Sequence, residues 1–385
     1  MKRVVFLDWM RVIACFMVMV IHSAEPFYLG GEAPNITYIA SRWDMIWITV
    51  TECLCRVCVP LFVMASAYLL FPVRRPTGEF FRRRLLRVGV PFIVWAAVYV
   101  WYADGKWGPM LFNFPDEGGH LWFVPMLLGL YILMPLLSPW AEKVGKKELL
   151  LFLGIWLFST LIPFIRQWAG GPAQVIYGPS GIPNLAKYPL WGEASWNSYG
   201  TFYYISGFIG YLLLGLYFRK FVKQLSWAKT LAIALPLFAA GFFIGAQGFY
   251  RRVLADAGGS FPVSGPVGYA AIWETTWFND TLGLAFMTIA WILIIRKIGC
   301  AGKFYQKVIL PVSKASYGMY LCHMLVLSTV LTWICDLLKR GSEGILGVWT
   351  TPAEVLSTAL ITFTITAVLC ILVQRIPKIG KYLIG

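Results

Sequence analysis

Ten apolar stretches follow one another along the chain, at about residues 4–24, 45–71, 88–103, 120–140, 148–166, 201–218, 228–249, 272–295, 311–335 and 353–374. Each approaches the roughly 20 residues that a helix needs to cross the hydrocarbon core of a bilayer. The runs are continuous and do not alternate with period two, which argues against the strands of a membrane barrel. The pattern predicts an all-α fold: a polytopic bundle of about ten transmembrane helices, forming a single membrane-embedded domain over residues 1–385. The third stretch is the shortest and predicts a tilted or partly re-entrant span. No internal repeat, Gly/Ser-rich linker or appended soluble domain is visible.

Composition and charge sharpen this picture. The chain is 59% apolar and 13% charged, whereas a soluble domain carries about 25% charged residues. Such a chain in water would expose large sticky patches; in lipid the same surface is solvated. Lys and Arg outnumber Asp and Glu by 33 to 18, which raises nucleic acid as a partner. The cations sit instead in short segments between apolar runs, the positive-inside pattern, so no nucleic-acid partner is expected. Alternate segments carry 22 of them against 8, which predicts both termini on the cytoplasmic side. The longest outward segment, about 167–200, is rich in Gly, Pro and aromatic residues. Its Trp168, Tyr177, Tyr188, Trp191, Trp196 and Tyr199 fit either an interfacial aromatic belt or stacking platforms for sugars.

Lys2 and Arg3 ahead of an apolar run resemble a signal peptide. Asp8 and Arg11 interrupt that run and no small-x-small cleavage site follows His22, so a retained helix is expected. Most of the eight cysteines lie inside apolar runs and read as small buried hydrophobes. Cys53, Cys55 and Cys58 lack the further ligands of a tetrahedral site, so no metal is expected.

Ionisable groups inside spans are costly and mark candidate function. The first helix carries Asp8, Arg11 and His22. Eleven residues at 100° each leave Arg11 and His22 about 20° apart around the helix and about 16 Å apart along it. Asp8 offers Arg11 an i,i+3 partner, and Glu52 and Arg56 form an i,i+4 pair in the favourable order. His120 opens the fourth span and His323 lies in the ninth, so all three histidines of the chain are at or in spans. Imidazole is the usual carrier of protons near neutral pH. Glu274 and Asp280 bracket the start of the eighth span. Before the third span runs Phe80-Phe81-Arg82-Arg83-Arg84-Leu85-Leu86-Arg87. This loop admits two readings: a topology signal against anionic headgroups, or a clamp for phosphates.

Five segments together resemble the acyltransferase type-three family of integral membrane O-acyltransferases. Leu7-Asp8-Trp9-Met10-Arg11 through His22 is similar to the family's Arg-x10-His pattern. Val59-Pro60-Leu61-Phe62 through Ser66-Ala67-Tyr68-Leu69 resembles its Pro-Leu-Phe…Ser-Gly-Tyr-Leu stretch, with Ala67 in place of Gly. The Arg82–Arg87 run before Pro91, His120-Leu121-Trp122-Phe123, and Ser316-Tyr317-Gly318-Met319-Tyr320-Leu321-Cys322-His323 complete the set. The resemblance implies an O-acetyltransferase of the bacterial cytoplasmic membrane. It would move an acetyl group from cytoplasmic acetyl-CoA, a co-substrate, to a carbohydrate hydroxyl of a surface glycan or lipid-linked sugar. Arg82, Arg83, Arg84 and Arg87, with Arg11 deeper, would bind the coenzyme; His22, helped by Arg11, His120 and His323, would carry the chemistry. Asp8, Glu52, Arg56, Trp122 and Tyr320 would support them. A transporter or flippase of lipid-linked glycans, or a ligase, is the rival class. A transporter would show repeated halves with broken helices at matched positions. Gly241 and Gly245 form a small-xxx-small pair that leaves oligomeric state open.

Overall fold

A computed structural model of the chain describes residues 3–29, 39–103, 107, 116–168, 200–256, 261, 263, 276–279, 281–338, 346–377 and 380–385. The regular structure among these residues is entirely helical, and nine helices are long and apolar enough to cross a membrane. A tenth apolar helix, Leu282–Ile295, is shorter. Much of the first half of the span expected at 272–295, with Glu274 and Asp280, lies outside the described residues. The helices are α1 (Val5–Ala24), α2 (Arg42–Cys55), α3 (Cys58–Leu70), α4 (Thr77–Arg84), α5 (Val90–Tyr102), α6 (Phe123–Lys143), α7 (Lys146–Ser159), α8 (Phe208–Lys220), α9 (Trp227–Asp256), α10 (Leu282–Ile295), α11 (Leu310–Leu337) and α12 (Thr350–Gln374).

Helix α1 is the axis of the bundle. It packs against α2, α3, α11 and α12, and most of its residues are buried. A helix enclosed by protein on every side is where charged groups can be satisfied without meeting lipid. The outward faces of other helices carry exposed apolar side chains, among them Trp101, Leu136, Phe243 and Leu360. That is the expected surface of a multi-pass membrane protein.

The third span is longer than its apolar run. The Arg-rich segment expected as a loop is helical, so Thr77–Tyr102 forms one 26-residue element. Arginine is a good helix former, and at the end of a span it keeps its head near water while the helix continues. Between α4 and α5 the helix widens into a π turn at Leu85–Gly89, just before Pro91. A second π turn, Tyr305–Ile309, precedes Pro311 at the start of α11. Proline has no N–H and its ring crowds the carbonyl four residues earlier; a widened turn relieves that crowding. The widened turn leaves the Val88 carbonyl open to accept from the Tyr317 hydroxyl at 2.7 Å. The first of these turns borders the cavity described below, through Leu86, Arg87 and Val88.

The second span is broken. Helices α2 and α3 meet in a turn at Arg56–Val57, which places the Arg56 guanidinium inside the bundle. Several cations counted as inside also cap helix ends. The Lys220 ammonium donates to the carbonyls of Ala141, Glu142 and Val144 at 3.0, 3.1 and 3.0 Å, filling orphan acceptors at the end of α6. Arg296 and Lys297 donate to the carbonyls of Val222 and Leu225 in the stretch that follows α8.

Two close helix approaches depend on glycine. A Cβ on Gly215 in α8 would stand 2.6 Å from the Cβ of Ala67 in α3. Ala67, where the resemblance leads one to expect Gly, is thus matched by a Gly across the interface. The Gly241 and Gly245 pair faces α10 and Cys53, so it is used inside this chain.

Candidate functional site

The three histidines, distant in sequence, meet. The His323 ring lies 5.0 Å from that of His22 and 4.8 Å from that of His120, and His22 to His120 is 6.3 Å. His22 comes from the end of α1, His323 from the middle of α11, and His120 from the short 3-10 segment Asp116–Trp122 that leads into α6. His120 is tied to α11 twice. Its Nε2 lies 3.4 Å from the Leu321 carbonyl, and its own carbonyl accepts from the Tyr320 hydroxyl. Tyr99 adds a wall: its ring is 5.0 Å from His120 and its hydroxyl donates to Leu321 O at 3.1 Å.

The hydrogen bonds assign the ring protons. His323 Nδ1 donates to Tyr320 O at 2.6 Å and His120 Nε2 to Leu321 O, since a carbonyl only accepts. His323 Nε2 and His120 Nδ1 are then bare acceptors, and both are buried with no hydrogen-bond partner among the described residues. His22 Nδ1 lies 2.6 Å from Glu25 Oε2, which leaves its Nε2 to face a reactant. Among the described residues no group of three or more His, Cys, Asp or Glu side chains has the geometry to hold a metal ion.

Glu25 is the site residue that sequence reasoning passes over. It sits at the end of α1, three residues after His22 and just before Pro26, where the first apolar run has ended. The i,i+3 spacing to His22 is the signal that finds it. Its second oxygen accepts from Arg56 at 3.2 Å. Arg56 also donates to Glu52 at 2.6 Å and to the Tyr28 hydroxyl at 2.6 Å, and it lies 5.4 Å from the centre of the Trp277 ring. Tyr28 in turn donates to Glu52 at 3.2 Å. The expected Glu52–Arg56 pair is therefore the base of a chain that ends on His22. Two carboxylates share one guanidinium, and one of them, Glu25, stands against the imidazole.

Below this cluster opens a cavity of about 850 Å³. Arg11, Arg83, Arg84, Arg87, Arg3 and Lys314 supply its charge. Phe62, Phe123, Leu127, Tyr131, Tyr317 and Tyr320 supply its apolar and aromatic walls. Tyr320 and Phe123 join the two regions: their rings are 5.5 Å apart, and Tyr320 lies 5.7 Å from His120 and 6.0 Å from His323. The cavity thus runs from arginines to the Phe123 and Tyr320 rings, and the histidines lie on the far side of Tyr320. Arg3 and Gly385 both line it.

Arg11 faces this cavity because Asp8 is held mainly by others. Asp8 accepts from Arg3 at 2.7 and 2.8 Å, from Tyr305 at 2.7 Å and from Ser313 at 2.7 Å, while Arg11 stands 3.9 Å away. These hydrogen bonds raise the pKa of Arg3, which stays charged. Arg84 lies over Phe80 and Tyr131, with ring centres at 5.9 and 5.8 Å. Arg83 pairs with Glu79 at 2.7 Å. Arg82 is exposed and is not among the residues lining the cavity. Trp122 is 40% exposed and packs on Phe208 at 6.0 Å, outside the histidine cluster. Trp168 is exposed; Tyr177, Tyr188, Trp191, Trp196 and Tyr199 lie outside the described residues.

No curated protein and no solved structure matches the chain. One protein-family model does: Acyl_transf_3, described as an acyltransferase domain, matches residues 4–371.

Proposed function

The chain belongs to this acyltransferase family, and from that premise we propose that it is a multi-pass O-acetyltransferase of a bacterial cytoplasmic membrane. Acetyl-CoA is the donor, and a hydroxyl of a surface glycan or lipid-linked sugar is the acceptor. The observation that carries this reading is an arginine-lined cavity with three clustered histidines behind its Tyr320 wall. Its mouth suits phosphates, for which guanidinium is the preferred partner. The separation of about 16 Å between Arg11 and His22 along α1 suits an extended arm. The histidines beyond Tyr320 supply the base, and no metal is invoked.

The reaction follows from the tautomers. His22, held by Glu25 through Nδ1, presents Nε2 to the acceptor hydroxyl. As Nε2 takes the proton, the hydroxyl oxygen attacks the thioester carbonyl, the carbon–sulfur bond breaks, and the imidazolium returns the proton to the departing thiolate. No net proton is gained or lost. Glu25, held in place by Arg56, supplies negative charge to the imidazolium as it forms. The bare nitrogens of His323 and His120 are acceptors for further hydroxyls of a sugar. The test is transfer of radiolabelled acetyl from acetyl-CoA to glycan in membranes carrying wild type or His22→Ala. Loss of transfer with unchanged melting and retained donor binding supports the reading. Undiminished transfer by the variant overturns it.

A further inference from the structure

A second cavity of about 400 Å³ adjoins the first. It shares Arg83, Arg84 and Arg87 with the larger cavity and adds Arg74, Arg75 and Arg219. Its other walls are Leu69, Leu70, Pro72, Val73 and Phe80, and no carboxylate is among its lining residues. Glu79 pairs with Arg75 and Arg83 at 2.8 and 2.7 Å from outside that lining. Arg219 is anchored to Phe71 O at 2.9 Å. The Nε atoms of Arg83 and Arg84 are buried with no hydrogen-bond partner among the described residues. Six guanidiniums around so small a space repel one another, and two buried donors lack acceptors. Both facts point to an anion with several oxygens.

Coenzyme A carries phosphate at two places: the pyrophosphate that leads to the pantetheine arm, and a monoester on the ribose. Two adjoining arginine-lined cavities with shared arginines match that division. We infer that the smaller cavity is a second anion site that takes the ribose 3′-phosphate of the donor, while the shared arginines face the pyrophosphate. This rests on the acetyl-CoA reading above. The site makes the donor's terminal phosphate a determinant of specificity, and its private residues are Arg74, Arg75 and Arg219. An anionic lipid headgroup offers the same chemistry, and the experiment separates the two.

Binding of CoA and of 3′-dephospho-CoA is measured by calorimetry on the intact protein in phosphatidylcholine nanodiscs, for wild type and Arg74→Glu. A charge-assisted hydrogen bond that dephospho-CoA cannot form should let wild type bind CoA about tenfold or more tightly. Arg74→Glu removes most of that difference and leaves dephospho-CoA affinity unchanged, which also reports that the variant is folded. Equal binding of the two nucleotides by wild type, or a difference that survives Arg74→Glu, overturns the inference and leaves the acetyl-CoA reading intact. Repeating the measurement with phosphatidylglycerol nanodiscs tests the lipid. A preference for CoA that is present in phosphatidylcholine and disappears in phosphatidylglycerol assigns the site to a lipid headgroup and overturns the donor assignment, whereas a preference that persists there supports it. Failure of wild type to bind either nucleotide overturns the acetyl-CoA reading itself, and this inference with it.

Discussion

Glu25→Gln is the substitution that most sharply separates chemistry from architecture. The carboxylate lies 2.6 Å from His22 Nδ1 and 3.2 Å from Arg56. An amide of nearly the same shape can turn its NH2 toward Nδ1, which moves the ring proton to Nε2 and removes the lone pair that accepts from a hydroxyl. General-base catalysis contributes about 10²–10⁴ in rate, and the same carboxylate-to-amide change in a serine protease triad costs about 10⁴. A fall in turnover of about 10²–10⁴ is therefore expected. The structural cost is smaller. Arg56 keeps Glu52 at 2.6 Å and Tyr28 at 2.6 Å, so the loss is about 1.5–3 kcal/mol for one charged hydrogen bond, not the larger penalty of a stripped buried charge. The assay is labelled-acetyl transfer in membranes, with acetyl-CoA affinity and detergent melting measured on the same preparations. Turnover within about threefold of wild type would refute the role given to Glu25, being far below the general-base effect. Donor affinity and melting that collapse together with turnover would make it a structural residue.

Other outcomes follow from the same geometry. Arg56→Ala leaves Glu52 buried without its guanidinium and should lower stability by about 3–5 kcal/mol, read as loss of folded protein on detergent size exclusion; normal yield and melting would contradict the account. Gly215→Ala places a methyl 2.6 Å from Ala67 Cβ and should cost about 1–3 kcal/mol of overpacking. Adding Ala67→Gly should recover most of that, and failure to recover it would show that the two helices do not meet as described. Single cysteines near residues 145 and 180 should label from the cytoplasmic and outer sides respectively; the reverse labelling would contradict the orientation inferred from charge.

Much of the fold is legible in the hydrophobic pattern, because lipid forces backbone hydrogen bonds to close within each span. The Arg11–His22 face and the Glu52–Arg56 pair are legible for a related reason: each lies along one span, where spacing alone sets direction. The convergence of His22, His120 and His323 is not, since three separate elements bring them together and no local period records it. Glu25 escapes because it lies beyond the apolar run that marks α1, although its partner is only three residues back. The Arg82–Arg87 run misleads in the other direction. Its charge resembles a loop, while a π turn before Pro91 lets the helix continue through it. The charge of Arg83, Arg84 and Arg87 is visible in sequence, but their position between two cavities depends on that turn.

The central claim is that the arginine-lined cavity beneath the histidines holds acetyl-CoA. Calorimetric titration of acetyl-CoA into the purified protein, with Arg84→Ala and Arg87→Ala alongside, tests it most directly. The account predicts saturable binding by wild type, weakened by either substitution and by added salt. Absence of binding to well-folded wild-type protein, or binding that neither substitution changes, would contradict it.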